Sequence, residues 1–138
     1  MNTHFTLPNS TRLFLIIASF LGATGVALGA YASHGLSGWA NSQQIAYFQL
    51  AVTYQLVHAI ALLAVAVLSL FITDRFLLLS KIAFVLGVFF FSGSLYLYVL
   101  SGTKMLAVIT PIGGLLLMIA WLLVMLSLCT FKNSKNKD

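Results

Sequence analysis

Acids are almost missing from this chain: Asp74 and Asp138 are the only two in 138 residues. Paired carboxylates for general acid and base work are thereby excluded from its apolar stretches, since one acid falls in a short connection and the other at the end of the sequence. Cysteine is limited to Cys129, which rules out an intramolecular disulfide and reads as an inert packing residue. Charge of either sign is scarce, at 7% of residues against 61% apolar residues and a mean hydropathy of +1.05. That balance lies well outside soluble globular domains and implies an integral membrane protein. Also missing are a glycine-rich phosphate loop after a strand, a haem-attachment motif and a zinc motif. His34 and His58 lack a third protein ligand and make a poor metal site, so neither metal nor cofactor is expected. The net charge of +5 does not point to nucleic acid, because the basic residues stand at segment ends and in the C-terminal tail rather than along one face.

What the chain does have is four long apolar runs separated by short polar breaks. Residues 1–11 read as a cytoplasmic tail, with Pro8-Asn9-Ser10 as a helix-start signal. The first span, 12–32, is about twenty residues long, which at about 1.5 Å per residue matches a hydrocarbon core of about 30 Å. A signal peptide is the rival reading, with Arg12 as its basic flank and Ala30-Tyr31-Ala32 as a cleavage site. The apolar run exceeds the usual length of roughly 7–15 residues, which favours a retained helix. Ser33 to Gln44 reads as a loop carrying His34 and Trp39, the latter suited to the headgroup boundary.

The second span, 45–72, would be about 42 Å long as one helix, so it tilts or begins at the surface. Thr73-Asp74-Arg75 is a tight connection to the third span, 76–100, where Lys81 is placed to snorkel. The fourth span, 105–131, contains Pro111. Thr110 could cap a helix that starts at Pro111, or one helix could run through and kink there. The apolar character of Met105 to Ile109 favours the continuous helix. Residues 132–138 form a basic cytoplasmic tail.

Ala18, Gly22, Gly25, Gly29 and Ala32 recur at helical spacing and form a stripe of small residues, including a Gly-xxx-Gly pair, that lets helix backbones approach in lipid. The stripe fits packing inside one bundle or contact with a second copy or another membrane protein. Gly113 and Gly114 are read as packing glycines too. On the second span Tyr54 and Gln55 precede His58 by four and three positions, so all three are expected on one side, turned away from lipid.

With four spans both termini share a side. Arg12, Arg75, Lys81, Lys132, Lys135 and Lys137 collect there against Lys104 on the other, which by the positive-inside rule makes it the cytoplasm. His34 is then at the outer surface, His58 about 12 Å below a boundary near Leu50, and Thr110 about 8 Å in from the outer end. Ser92, Ser94 and Tyr96 approach the same end, so Tyr54, Gln55, His58 and these groups are expected to converge in the outer half. They could bond one another and fix which helix faces meet. Alternatively they could line a cavity that takes a ligand or relays a proton through His58. A serine nucleophile at Ser92 or Ser94 lacks the glycine two positions before it that such motifs carry. The small-residue stripe of the first helix and the absence of catalytic acids favour a non-enzymatic protein that binds or scaffolds another membrane component; the alternative is a small transporter or proton-coupled carrier centred on His58.

Four motifs in order carry a resemblance: Gly29-Ala30-Tyr31-Ala32-Ser33-His34-Gly35-Leu36; Ala51-Val52-Thr53-Tyr54-Gln55 with His58-Ala59; Phe91-Ser92-Gly93-Ser94-Leu95-Tyr96; and Thr110-Pro111-Ile112-Gly113-Gly114. Through nearly the whole chain between its tails, the sequence resembles the YgdD/YwdK-type small inner-membrane proteins, a family of unknown function. The resemblance implies a four-span bundle in the bacterial cytoplasmic membrane. It implies no activity and supplies no catalytic residues.

Overall fold

A computed structural model describes residues 6–103 and 105–131. The first five residues, Lys104 and the tail 132–138 lie outside the described residues, and with them most of what was read as tails. Helix α1 spans Asn9–His34, α2 Ser42–Leu68, α3 Arg75–Ser101 and α4 Leu106–Thr130, with a 3-10 turn at Leu36–Gly38 between the first two. All four helices are long and apolar enough to cross a membrane. The expected all-α, four-span architecture is the one observed.

Capping chemistry explains where the helix ends depart from the apolar runs. Helix α1 starts at Asn9 rather than Arg12, because Pro8 precedes it and its carbonyl accepts the Arg12 N–H at 2.9 Å. Helix α2 starts at Ser42 rather than Ile45. The Asn41 side chain accepts the Gln44 N–H at 2.9 Å while the Gln44 side chain accepts the Asn41 N–H at 3.0 Å, a reciprocal capping box. The helix ends at Leu68, four residues short of Ile72, in a turn where the Ser69 hydroxyl donates to the Ala66 carbonyl at 2.7 Å. Asp74 is more than a connection: its carboxylate accepts the Leu77 N–H at 2.8 Å and caps α3. Gly102, at φ 69°, closes α3 in the left-handed conformation that glycine adopts without strain. Helix α4 begins at Leu106 and runs through Pro111, so the continuous reading holds over a start at Pro111.

Cross-helix contacts place successive helices antiparallel. Thr11 near the start of α1 bonds Ser69 after the end of α2 at 3.2 Å, and Tyr31 near the end of α1 meets Phe48 early in α2. Ser127 late in α4 donates to the Asp74 carboxylate at the start of α3. Ser94 late in α3 pairs with Thr110 early in α4 at 2.8 Å. One end of the bundle therefore holds Thr11, Ser69, Asp74, Lys81 and Ser127, and the other holds Trp39, Asn41 and the loop glycine Gly102. Helix α1 packs on α2, α2 on α3 and α3 on α4, whereas α1 makes no extensive contact with α4.

Small residues set the closest approaches. A Cβ on Gly113 would collide with the backbone of Phe90 and Phe91, and one on Gly87 would meet Leu117, so α3 and α4 touch at main-chain distance. Gly114 leaves ordinary room beside the Phe91 ring. In the α1 stripe a Cβ on Gly25 would stand 2.6 Å from the Leu56 side chain and one on Gly29 3.3 Å from Val52, while Ala18 and Ala32 are buried. Gly25 and Gly29 of the stripe thus face α2 within the chain. Gly22 alone is open, with nothing within 4 Å of a Cβ built there.

Two apolar clusters result. One joins Phe14, Leu62, Val65, Leu77, Phe84 and Leu117 from all four helices, and the other joins Ala32, Leu36, Phe48, Val52 and Val99 toward the Trp39 end. Exposed large residues such as Phe20, Phe89 and Leu122 form the surface that meets acyl chains. Cys129 is exposed as well, not packed inside as expected.

Candidate functional site

The polar residues of the spans do not converge on one space. They form separate bridges, each tying one helix to the next. Gln55, 4% exposed, donates to the Leu21 carbonyl at 2.8 Å and to the Thr24 hydroxyl at 2.9 Å on α1. Its carbonyl oxygen accepts the Tyr96 hydroxyl of α3 at 2.9 Å, so one amide joins three helices. Ser92 donates to the Ala51 carbonyl at 2.8 Å, and Ser94 bonds Thr110 and the Phe91 carbonyl of its own helix. A buried polar group in lipid needs such partners, and each pair rejects other helix registers. His34 takes no part: it is exposed, as the last residue of α1 rather than within a loop.

His58 and Tyr54 behave differently from Gln55. Residues four apart share a helix face, whereas Gln55 lies about 100° round from Tyr54, enough to turn it toward α1 and α3. Tyr54 and His58 instead border a groove of about 720 Å³ between α2 and α4, floored by Phe91 of α3 and walled by Thr53, Val57, Pro111, Leu115, Met118 and Trp121. Tyr54 stacks on Phe91 with ring centroids 4.2 Å apart. The imidazole has Tyr54 at 5.6 Å, Phe84 at 5.8 Å and Trp121 at 6.4 Å, so aromatic rings surround it where hydroxyls and amides were expected. Along the helix, Gln55 is the central residue of α2, and His58 lies about 4.5 Å beyond it toward the end that holds Thr11 and Ser127.

The imidazole nonetheless has a defined chemistry. Nδ1 lies 2.7 Å from the Tyr54 carbonyl oxygen. A carbonyl can only accept, so Nδ1 carries the proton and Nε2 of the neutral ring is a bare acceptor. Among the described residues Nε2 has no hydrogen-bond partner, although the residue is only 7% exposed. The groove is mostly apolar, and its polar lining is the Nε2 acceptor together with Thr53 and Tyr54.

Sequence reading missed two further features. Lys81 does not snorkel: it is 3% exposed, its ammonium donates to Ser69 Oγ at 3.0 Å, and it stands 5.0 Å over the Phe14 ring. A basic residue about two turns inside an apolar helix was the available signal, but its direction depends on how α1 and the α2–α3 turn close over it. Thr24, which accepts from Gln55, was missed because it sits on an otherwise apolar helix with no motif around it.

A four-helix integral membrane bundle whose polar groups join neighbouring helices, with an apolar groove between α2 and α4, defines the class. Residues 28–114 match the family model described as Protein of unknown function (DUF423). The chain is 39% identical over 121 residues to the UPF0382 membrane protein SAB0533 of Staphylococcus aureus, covering 88% of this chain and 97% of the relative. It is 38% identical over 109 residues to the UPF0382 membrane protein of Haemophilus influenzae, covering 79% and 87% respectively. To the UPF0382 inner membrane protein YgdD of Escherichia coli K12 it is 32% identical over 123 residues, covering 89% and 94%. This chain belongs to that DUF423, or UPF0382, family of membrane proteins. No solved structure matches it.

Proposed function

We propose that the chain is a non-enzymatic protein of the bacterial inner membrane that binds a lipid-soluble molecule in the groove between α2 and α4, with both termini in the cytoplasm. The observation that carries this reading is the bare Nε2 of His58 in an apolar groove of about 720 Å³. That volume is in the range of small-molecule sites, about 300–1,000 Å³, and such sites combine apolar walls with few polar anchors. The anchor accepts and cannot donate, so it selects a molecule with a hydroxyl. Its place near the helix midpoint selects a hydroxyl carried deep in the bilayer rather than at headgroup level. Helix-joining contacts occupy the serine hydroxyls, and neither Ser92 nor Ser94 bonds His58, which leaves a hydrolase without an activated nucleophile. A carrier centred on His58 would need polar groups leading away from the ring, and its described neighbours are aromatic. The orientation is supported by Arg12, Arg75 and Lys81 standing at the end that holds the termini.

The test uses the full chain in vesicles with Trp39 replaced by Phe, so that Trp121 is the remaining tryptophan. A lipophilic brominated phenol is compared with its methyl ether, which is one methylene larger and has no donor. The phenol should quench Trp121 at lower concentration, and His58→Leu should erase the difference. Equal quenching by the two compounds in the protein that retains His58 would remove the proposal.

A further inference from the structure

A second site stands at the opposite extreme of chemistry, at the end that carries the termini. Its centre is Lys81, a cation buried to 3% exposure in a helix that otherwise buries apolar residues and serines. An ammonium offers three donors. Among the described residues one acceptor serves it, the neutral Ser69 hydroxyl, and the Phe14 ring face covers another side. The nearby acid does not fill the gap. Asp74 has one carboxylate oxygen on the Leu77 N–H and the other on the Ser127 hydroxyl, and both contacts serve the α3 start. A buried charge without a full set of partners is expensive, so the environment is built for something that completes it.

Beside Lys81 lies a pocket of about 200 Å³ between the start of α1 and the α2–α3 turn. Ser10, Thr11, Thr73, Lys81 and Asp74 line it beside the apolar side chains of Ile72 and Leu77. Its volume equals that of about seven water molecules at their share of liquid water, room for a tetrahedral oxyanion and its water but not for an acyl chain. Arg12 and Arg75 are exposed at the same end, which makes the surroundings cationic. Asp74 weighs against a doubly charged guest and leaves a monoanion as the better match.

We propose that this pocket binds a phosphate oxyanion, held by the two remaining donors of the Lys81 ammonium and by the hydroxyls of Ser10 and Thr73, since those of Thr11 and Ser69 already donate within the protein. The chemistry is shared by the phosphodiester of an anionic lipid and by free phosphate. In the orientation proposed above, on which this choice rests, the end is cytoplasmic and anionic headgroups are the abundant source, and a monoanionic diester suits the Asp74 neighbour.

The full chain is purified in a neutral detergent and examined by native mass spectrometry with three probes added separately: phosphatidylglycerol, diacylglycerol and inorganic phosphate. Phosphatidylglycerol should be retained and diacylglycerol should not. Lys81→Met should weaken retention about tenfold, the equivalent of losing one charge-assisted hydrogen bond, and Lys81→Arg should restore most of it. Retention of phosphate alone, lost in Lys81→Met, would assign the site to the free ion. Equal retention of phosphatidylglycerol by the parent and by Lys81→Met would overturn the proposal. If Lys81→Met does not fold, amine-reactive labelling of the parent decides: phosphatidylglycerol should slow labelling of Lys81 relative to the other lysines, and an unchanged Lys81 rate would also overturn it.

Discussion

Helix α4 treats its two neighbours in opposite ways. It meets α3 at main-chain distance through Gly113 and Gly87, and it stands off from α2 across a groove walled by Tyr54, Val57, Met118 and Trp121. In lipid no hydrophobic force distinguishes these arrangements, because acyl chains are as apolar as the helices. Residue size makes the difference. Where glycine removes the side chain two backbones close, and where large rings project they keep the helices apart and leave a space that lipid or a ligand must fill.

The closed seam is the easier side of this comparison to break. Gly113→Leu forces side-chain atoms against the backbone of Phe90 and Phe91, which cannot move aside as a side chain would. It should lower stability by about 3 kcal/mol, the upper range for overpacking, read as a drop in thermal midpoint in detergent micelles. The next largest effect belongs to the amide that joins three helices. Gln55→Leu removes the bonds to Leu21, Thr24 and Tyr96 and leaves the Tyr96 hydroxyl in an apolar setting, a loss of about 2 kcal/mol in the same assay.

The α1 stripe sharpens the point because its members differ in the space beside them. Gly25→Ala should cost about 1 kcal/mol, since the Leu56 side chain must give way. Gly22→Ala meets nothing and should be neutral or slightly stabilising, as helix propensity favours alanine by up to about 1 kcal/mol. The smallest effect is expected at Ser80, whose buried hydroxyl is the one without a partner among the described residues. Ser80→Ala should leave the midpoint within about 0.5 kcal/mol of the parent or raise it, because no hydrogen bond is lost.

Number and order of helices were legible because each apolar run is as long as a bilayer is thick and is bounded by polar breaks. Helix ends were less so. The α2 start was hidden in Asn41 and Gln44, whose mutual capping recruits polar residues that otherwise read as loop. The small-residue stripe was visible, but its partner was not, since glycine spacing says that a backbone approaches and not whose. Gln55 and Ser94 could be picked out as polar residues at depth, and their partners in part. The surroundings of His58 could not. They depend on which way α4 turns Trp121 and on a rotation of about 100° that separates Gln55 from Tyr54. Lys81 was misread for a related reason: a lysine near a helix start reaches water unless another helix covers it, and Phe14 of α1 does.

The most direct measurement of the central claim is the nitrogen NMR spectrum of the His58 side chain in lipid bilayers, with the other histidines, His4 and His34, replaced by Gln. A proton on Nδ1 and a bare Nε2 that shifts when a lipophilic phenol is added, and not when its methyl ether is added, is the predicted result. A proton on Nε2, or a bare Nε2 indifferent to the phenol, would contradict the account.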